Sequence, residues 1–307
     1  MIAANPSASV MAGLKIRPAV SLDQEKIADL ISFETHVHRH FDWQTPLDWI
    51  GCSPYWVLEE GGRLVGVLAC PPDPDSIAWI RLFVFASHPA GEAVWSPLWN
   101  AARDQLAETG GATVAAIATQ RWFDSILIES GFDLEGHITL LEWNDQPAVR
   151  APLPSNINLR AMTFDDLPRV VEVDGAAFEP LWRNSLQALR KAYSQASHAF
   201  IVEDTSGLLG YQLSTGAPLG AHLARLAVRP EVQGRGLGAA LVTDLIHRIQ
   251  NSGGSHITVN TQANNATSLA LYHKLGFRRT GEQFPIYTHP VIPAQAATLR
   301  DVEKGAL

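Results

Sequence analysis

Residues 223–240 read Leu-Ala-Arg-Leu-Ala-Val-Arg-Pro-Glu-Val-Gln-Gly-Arg-Gly-Leu-Gly-Ala-Ala, an apolar stretch followed by a glycine-dense turn. Gly234, Gly236 and Gly238 alternate along the turn, and a helix is predicted to begin on Leu237. Glycine lets the backbone approach a ligand closely, and the N–H groups at a helix start point outward as donors to an anion. The stretch therefore predicts a strand, a phosphate-binding turn and a helix, in that order.

Two other phosphate-binding motifs fit this turn less well. A P-loop requires Gly-Lys-Ser/Thr after its glycines, and Leu-Gly-Ala follows here. Gly234-x-Gly236-x-x-Ala239 meets the Rossmann spacing, but that motif also needs an acidic residue about 20 residues on, at the next strand. The next predicted strand, residues 256–261, contains no carboxylate. A nicotinamide cofactor is therefore disfavoured and stays only as an open alternative.

A second motif, Asn265-Ala-Thr-Ser-Leu-Ala-Leu-Tyr272, continues to Gly276-Phe277. Together with residues 223–230 and with Gln233-x-x-Gly236-x-Gly238, it closely resembles the GNAT superfamily of acyl-CoA-dependent N-acyltransferases. The resemblance covers Ile157 to His289 and implies acetyl-CoA as the cosubstrate. In this family, main-chain amides of the turn bind the pyrophosphate of coenzyme A, and the preceding strand pairs with the pantetheine arm.

The resemblance implies coenzyme contacts at the strand end, the turn, the first helical turn and the second motif. These residues are Leu226, Ala227, Val228, Gln233, Gly234, Arg235, Gly236, Leu237, Gly238, Ala239, Asn265 and Tyr272. The thioester carbonyl is expected to meet a main-chain N–H of the strand, that of Val228. Asn265 is equally suited to be a helix N-cap. The side chain of Gln233 either contributes its amide or points to water.

Acetyl transfer to an amine requires a neutral nucleophile, stabilisation of an oxyanion and a proton for the leaving thiolate. In this family the proton commonly comes from the tyrosine of the second motif, here Tyr272; the alternative is that Tyr272 only packs beside the coenzyme. His222 is the candidate general base, because its reference pKa of about 6.5 suits that role, and a plain surface histidine is the alternative. Glu179 and Glu203 are further candidates without a motif.

An internal repeat relates the two halves of the chain. Five pairs recur in order at offsets of 143 to 145 residues: Ile16-Arg17 and Leu159-Arg160, Glu59-Glu60 and Glu203-Asp204, Gly66 and Gly210, Arg81-Leu82-x-Val84 and Arg225-Leu226-x-Val228, and Gly131-Phe132 and Gly276-Phe277. Such a nearly constant offset predicts a duplicated domain. At an offset of 144, Glu92 and Val94 stand where the second half has Gly236 and Gly238. Because a carboxylate repels a pyrophosphate, coenzyme binding is expected in the second half alone.

Both halves show the same order of predicted elements, with amphipathic helices and short apolar strands. The predicted strands are 55–59, 64–70, 79–85 and 112–118 in the first half and 199–203, 208–214, 222–228 and 256–261 in the second. This order predicts an α/β fold of two tandem GNAT folds, each a mixed, mostly antiparallel, twisted sheet flanked by helices. The predicted limits are a degenerate GNAT-like domain at 14–146, a Pro-rich linker at 147–155, the catalytic domain at 156–290 and a C-terminal tail at 291–307.

Composition limits the partners of the chain. The formal net charge of −8 disfavours nucleic acid and anionic membranes and would favour the approach of a cationic amine. Cys52 and Cys70 supply no framework of disulfides, no apolar run is long enough to cross a bilayer, and the first residues lack the features of a signal peptide. A cytoplasmic protein is expected, either a monomer with paired domains or a homodimer.

His36-Val-His-Arg-His40 has the alternation of a metal site, but no Cys or carboxylate partner lies at a recognisable spacing. A solvated or substrate-loop role is predicted for it, with no metal. Of the nine Trp, six lie at positions 43–99 and most are expected in the core.

The predicted function is an acetyl-CoA-dependent N-acetyltransferase that moves acetyl directly to a primary amine of a small molecule or peptide in a ternary complex. A non-catalytic acyl-CoA-binding or regulatory module is the alternative, and a nicotinamide-dependent oxidoreductase is a weaker one.

Overall fold

The computed structural model describes residues 13–74, 76–87, 91–145, 147, 151–217 and 219–294. The chain divides into two compact units, one of Met1–Glu135 with Ile286–Leu307 and one of Gly136–Pro285. The predicted linker at 147–155 and tail at 291–307 lie only partly within the described residues. No helix in these ranges combines the length and the apolar character needed to cross a membrane.

The first half of the chain contains eight strands and three helices in the described ranges. They are β1 (Leu14–Pro18), α1 (Gln24–Phe33), β2 (His36–Arg39), β3 (Tyr55–Glu60), β4 (Arg63–Ala69), β5 (Ile77–Trp79), β6 (Leu82–Phe85), α2 (Gly91–Glu108), β7 (Ala112–Ile117), α3 (Arg121–Glu129) and β8 (Asp133–Asn144). The predicted strand 79–85 is in fact two strands, because the chain bends at Ile80 and Arg81, so that β5 and β6 join different sheets.

The second half contains six strands and four helices in the described ranges. They are β9 (Asn158–Ala161), α4 (Leu167–Ala177), α5 (Leu186–Gln195), β10 (His198–Asp204), β11 (Gly207–Ala217), β12 (Gly220–Val228), α6 (Leu237–Asn251), β13 (His256–Gln262), α7 (Ala266–Lys274) and β14 (Arg278–Val291). All four predicted strands of this half are present, and the helix predicted at Leu237 begins there.

The sheets are mixed and mostly antiparallel, which confirms the predicted fold class. In the first unit, β1-β3-β4-β6-β2 is antiparallel throughout, while β5 runs parallel to β7. In the second unit, the order β8-β13-β12-β11-β10-β9 contains one parallel pair, β12 with β13.

The last strand of each half pairs away from its own half. Ile138–Asn144 of β8 pair with β13, inside the second unit, and Ile286–Val291 of β14 pair with β7, inside the first. The compact units therefore differ from the predicted limits of 14–146 and 156–290. Since those limits describe halves of the sequence, they stay a prediction about the duplication.

A repeated ion cluster supports the duplication. Arg17 donates to Asp23 at 2.6 Å and to Glu59 at 2.6 Å, at a β-bulge between Leu58 and Glu59. The second unit repeats the whole arrangement with Arg160, Asp166, Glu203 and a bulge between Val202 and Glu203. Three charged residues and one backbone irregularity recur in the same geometry, at the offsets seen in the sequence.

The helix after the glycine turn is held by a continuous apolar stripe. Leu241, Val242, Leu245, Ile246 and Ile249 of α6 are at most 3% exposed and follow the spacing of a single helix face. Burial of each such side chain stabilises the fold by about 1.5–3 kcal/mol. The stripe fixes the start of α6, and with it the turn, against β12.

The prediction of a solvated role for the three histidines was wrong for His38 and His40. His38 is 2% exposed, stacks on Phe123 with 4.1 Å between ring centroids, and its Nε2 lies 3.1 Å from the carbonyl oxygen of Ile80. His40 stacks on Trp79 at 4.6 Å. Burial lowers the pKa of His38 to about 4, so the ring is neutral at pH 7. The error arose because the pairing of β2 with β6, which buries this face, has no local sequence signal.

Candidate functional site

The site is built on an opening between two parallel strands. β12 pairs with β11 along its whole length, but with β13 only from Gly220 to Leu223. β13 continues along β8 as far as Gln262. The two parallel strands therefore separate after Leu223. Within the described chain, the β13-facing edge of residues 224–228 has no strand partner, and we call this opening the slot.

A β-bulge marks the point where the slot begins. Leu213 of β11 pairs with Arg225 and Ser214 pairs with Leu223, so Ala224 is the extra residue on β12. Beyond it, the N–H of Arg229 donates to the carbonyl of Leu209 on β11 at 2.8 Å. Because N–H directions alternate along a strand, the N–H groups of Leu226 and Val228 face away from β11 and into the slot.

The turn after β12 takes a shape that only glycine adopts readily. Gly234 has φ of 76° and Gly236 has φ of 85°, both in the left-handed region, and Gly236 is the N-cap of α6. Gly238 is different, because its backbone is helical and a Cβ there would make only ordinary contacts, the nearest 3.4 Å from Cδ2 of Leu271. Neither backbone strain nor packing therefore requires glycine at 238.

Six successive main-chain N–H groups are available at the turn. The first intrahelical bond of α6 runs from the N–H of Ala240 to the carbonyl of Gly236, at 2.9 Å. The N–H groups of residues 234–239 make no hydrogen bond within the described part of the chain. Residues 234–236 are also exposed. We call residues 234–239 the cradle, since free N–H groups at a helix start are suited to bind phosphate.

Gln233 holds the cradle to the strand. Its Nε2 donates to the carbonyl oxygen of Val228 at 3.0 Å. This bond occupies the carbonyl of Val228 and leaves its N–H at the slot. The predicted alternatives for Gln233, a coenzyme contact or water, are thus joined by a third role, the fixing of the turn.

The second motif lies on α7 as predicted. Asn265 is the N-cap, since its Oδ1 accepts from the N–H of Ser268 at 3.0 Å. Tyr272 is 4% exposed and belongs to one apolar cluster with Leu223 and Leu226. In the described chain no protein group hydrogen-bonds its hydroxyl. Burial raises the pKa of the Tyr272 phenol above its ordinary value, so the proton stays on oxygen at neutral pH.

His222 lies on the closed part of the parallel pair. Its Nδ1 is 2.8 Å from Oγ1 of Thr258 on β13, and half-burial of the ring lowers its pKa below the ordinary value of 6.5. His222 is therefore no plain surface histidine. At about 3.3 Å per residue, Val228 is about 20 Å away along the strand and Leu226 about 13 Å. Of the slot-facing N–H groups beyond the bulge, that of Leu226 is therefore the nearer to His222.

The two fallback carboxylates differ in environment. Arg160 donates to Glu203 at 2.6 Å, and this hydrogen bond holds the pKa of Glu203 below its ordinary value. Glu203 also stands on β10, two strands from β12. Glu179 is exposed, at the start of the turn Pro180–Trp182. Glu203 is thus bound in the repeated ion cluster, which disfavours it as a base.

Sequence reasoning missed Asp174, which is fully buried on α4 and pairs with Arg225 beside the bulge at 2.7 Å. One signal was present. Val170 and Asp174 are four residues apart and share the buried face of α4, so the carboxylate falls within an apolar stripe. A charged residue on a core face needs a partner, but its identity follows only from the tertiary fold.

The first unit closes the edge that is open in the second. Gly66 pairs with Phe85 as Gly210 pairs with Val228, so β6 matches residues 225–228 of β12 at an offset of 143. β2 pairs with β6 along this edge, from Arg39 opposite Leu82 to His36 opposite Phe85. A strand of the chain itself therefore fills the equivalent of the slot.

The equivalent of the cradle is also lost, although not by the residue pairs predicted. The bond from Gly111 to Leu106 at the end of α2 matches that from Gly254 to Ile249, again at an offset of 143. The predicted matches of Glu92 and Val94 are thus one residue out, and the buried Trp95 stands at the position of Gly238. α2 begins at Gly91, which corresponds to Gly234. The residues that correspond to the glycine turn are therefore helical in the first unit.

Residues 169–286 match the family model described as Acetyltransferase (GNAT) domain. A mycothiol acetyltransferase of Renibacterium salmoninarum is 29% identical over 212 residues, which are 64% of this chain and 57% of that protein. A ribosomal-protein alanine N-acetyltransferase of Escherichia coli is 40% identical over 57 residues, 19% of this chain and 38% of that protein. The chain thus spans about half the length of the curated relatives it matches.

Solved structures show the same fold over nearly the whole chain. A tandem GNAT protein from the clavulanic acid biosynthesis pathway has a TM-score of 0.60 at 16% identity, with 92% of this chain and 99% of that chain covered. A GCN5-related N-acetyltransferase from Sphaerobacter thermophilus also has a TM-score of 0.60, at 17% identity, with 91% and 96% covered. At such identities the likeness concerns the fold.

Proposed function

We propose that the chain, whose residues 169–286 match a GNAT acetyltransferase domain, transfers acetyl from acetyl-CoA to a primary amine at the slot of the second unit. The observation that carries the proposal is the junction of two features on one strand. The unpaired edge of β12 ends next to the cradle, and the six N–H groups of the cradle are free to bind an anion. An arm that pairs with a strand and ends in a pyrophosphate matches both.

The cradle is proposed to hold the pyrophosphate and the slot to hold the pantetheine arm. Hydrogen bonds between main-chain N–H groups and an anion contribute about 1.5–3 kcal/mol each. The N–H of Leu226 is the first slot-facing donor beyond the bulge, and we assign it to the thioester oxygen. The N–H of Val228 then lies further along the arm, toward the cradle.

The chemical step is a direct transfer. The neutral amine nitrogen attacks the thioester carbonyl carbon, and the oxyanion that forms accepts from the N–H of Leu226. The bond from carbon to sulfur then breaks, and the sulfur takes the proton of the Tyr272 hydroxyl. The amine loses its extra proton to His222 through a chain of water molecules, because about 13 Å of strand separate His222 from Leu226. Burial favours neutral forms of both side chains, as the two roles require.

The acceptor is proposed to be a small-molecule or peptide amine. Two relatives direct the choice of compounds, since one is named for mycothiol and another for an alanine of a ribosomal protein. The deciding experiment measures release of free thiol from acetyl-CoA with a panel of amines: mycothiol lacking its acetyl group, glucosamine, spermidine and a peptide that begins with alanine. Acetyl-CoA binding without amine-dependent thiol release from any of them would favour the non-catalytic acyl-CoA module.

The pH dependence of turnover is expected to report His222. Since burial lowers its pKa, His222 in the resting enzyme is protonated, and unable to act as a base, only below the ordinary value of 6.5. As the pH is lowered, kcat/KM should therefore fall along an acidic limb placed below that value. His222→Gln should lower kcat/KM by about 10²-fold at pH 7, the lower end of general-base effects, and should remove the limb. Initial rates between pH 5 and 9 measure both.

The substrate amine also titrates, so the control is a second acceptor of different pKa. A limb that stays in place between acceptors and disappears in His222→Gln supports the histidine. If the acidic limb shifts with the pKa of the acceptor and remains in His222→Gln, the amine loses its proton to solvent and His222 is not the base.

A further inference from the structure

Arg225 joins three segments of the second unit at the point where the slot opens. Its Nε donates to Oδ2 of Asp174 at 2.8 Å, and its Nη2 donates to the carbonyl oxygen of Trp182 at 2.6 Å. The guanidinium also lies 3.5 Å from the ring centroid of Phe178. One side chain therefore connects the bulge of β12, the helix α4 and the segment 178–184 that follows α4.

The carboxylate of Asp174 is fully bonded in this network. It is 0% exposed and accepts from the hydroxyl of Tyr211 on β11 and from the N–H of Asn184 at 2.8 Å, as well as from Arg225. The ion pair is thus buried with the remaining oxygen lone pairs satisfied, which gives a single geometry. Because Arg225 is held in this single geometry, the position of β12 at the bulge depends on the position of α4.

The bulge residue Ala224 directly precedes Arg225, and the N–H of Leu226 directly follows it. A displacement of Arg225 would therefore turn the N–H that we assign to the thioester oxygen. The same face of the sheet carries His222, Arg225 and Ala227, with Tyr211 opposite Ala227. The segment 178–184 lies on this face, because it is bonded to Arg225.

We propose that Arg225 is a positioning residue for acetyl transfer: bound to Asp174, it fixes the bulge that aims the N–H of Leu226 and holds the segment 178–184 as a wall for the acceptor. This inference rests on the function proposed above. Arg225 does not touch the reacting atoms; it acts through the backbone of β12 and through the wall.

The first unit offers a matched control. Arg81 is also buried at a bend of the chain, between β5 and β6, where its Nη1 donates to Asp42 at 2.6 Å. Its guanidinium lies 4.5 Å from the ring centroid of Trp49, and its Nη2 is 3.3 Å from the carbonyl of Asp73. The chemistry resembles that of Arg225, but β2 covers the adjoining edge, so no slot depends on Arg81.

The test compares Arg225→Lys with Arg81→Lys in the full chain, with acetyl-CoA and the most active amine of the panel. Lysine keeps the charge but loses the planar fork. Both variants are expected to lower the thermal midpoint. Arg225→Lys alone should lower kcat/KM for the amine about 10–100-fold, since a 1 Å misplacement costs up to that much, while the Kd of acetyl-CoA changes less than about threefold.

Three outcomes separate the possibilities. Equal thermal losses with unchanged kinetics in both variants would overturn the positioning role and leave Arg225 structural. If Arg225→Lys fails to fold, Tyr211→Phe removes one hydrogen bond to Asp174 and keeps the ion pair; a lower kcat/KM for the amine then supports the role, and unchanged kinetics overturn it. If the wild-type chain transfers no acetyl to any amine, the proposed function is contradicted. If the wild-type chain is active and the kinetics of the Arg225 variant are unchanged, only the role of Arg225 is contradicted.

Discussion

Gly238→Glu is expected to abolish measurable acetyl-CoA binding, with a loss of affinity of at least about 100-fold, because each lost N–H bond to an anion removes about 1.5–3 kcal/mol. The new carboxylate would extend from the cradle on the side of Leu271 and Val228 and repel the pyrophosphate. A glutamate in the first turn of a helix is itself favourable by about 0.3–1 kcal/mol, so the fold should be at least as stable. Calorimetric titration with acetyl-CoA and a thermal melt measure the two effects.

Two controls accompany this variant. Gly238→Ala adds a Cβ with only ordinary contacts and should bind acetyl-CoA within about tenfold of wild type, because the N–H groups stay free. The wild-type titration should give one site per chain, since β2 and the helical start of α2 close the first unit. Two bound coenzymes, or normal binding by Gly238→Glu, would contradict the assignment of the cradle.

Tyr272→Phe is expected to lower kcat by about 10²–10⁴-fold, the range for loss of a general acid, with acetyl-CoA affinity nearly unchanged. The reason is chemical, since only the hydroxyl can give its proton to the leaving sulfur. No protein group in the described chain bonds that hydroxyl, so its removal should change stability by less than about 1 kcal/mol. Steady-state kinetics and single-turnover measurements with acetyl-CoA give the comparison.

Tyr287→Phe is the matched control for Tyr272. The Tyr287 hydroxyl donates to Asp124 in the first unit, and the side chain is 6% exposed. This variant should lose stability and keep kcat. If Tyr272→Phe keeps full kcat, Tyr272 only packs beside the coenzyme and another group must protonate the sulfur.

Local signals were sufficient where a residue type is required by its own backbone or by its near neighbours. Gly234 and Gly236 were identified from spacing alone, and both have the left-handed φ that favours glycine. Asn265 was identified as a possible N-cap and makes that bond. The strands of the second half followed from apolar runs, because those strands are buried on at least one face.

Pairing between distant segments could not be read in the same way. β2 is a four-residue strand, His-Val-His-Arg, and His38 is buried because β2 pairs with β6 and because its ring stacks on Phe123. After the break between β5 and β6, the two halves correspond at an offset of 143 residues, not 144. The sequence therefore matched Glu92 and Val94 to Gly236 and Gly238, one residue away from the positions that correspond in the structure. A one-residue slip in a strand register leaves no trace in composition.

The sequence by itself determined the GNAT domain, the glycine turn, the tyrosine of the second motif and the duplication, because each depends on residues close together in the chain or on a repeated pattern. Only the tertiary structure decided that β12 parts from β13 after Leu223, that β2 closes the same edge in the first unit, and that Asp174 holds Arg225. These three features depend on contacts between residues tens of positions apart. Such contacts are selected by burial and by hydrogen-bond satisfaction in the folded chain, which no local pattern specifies.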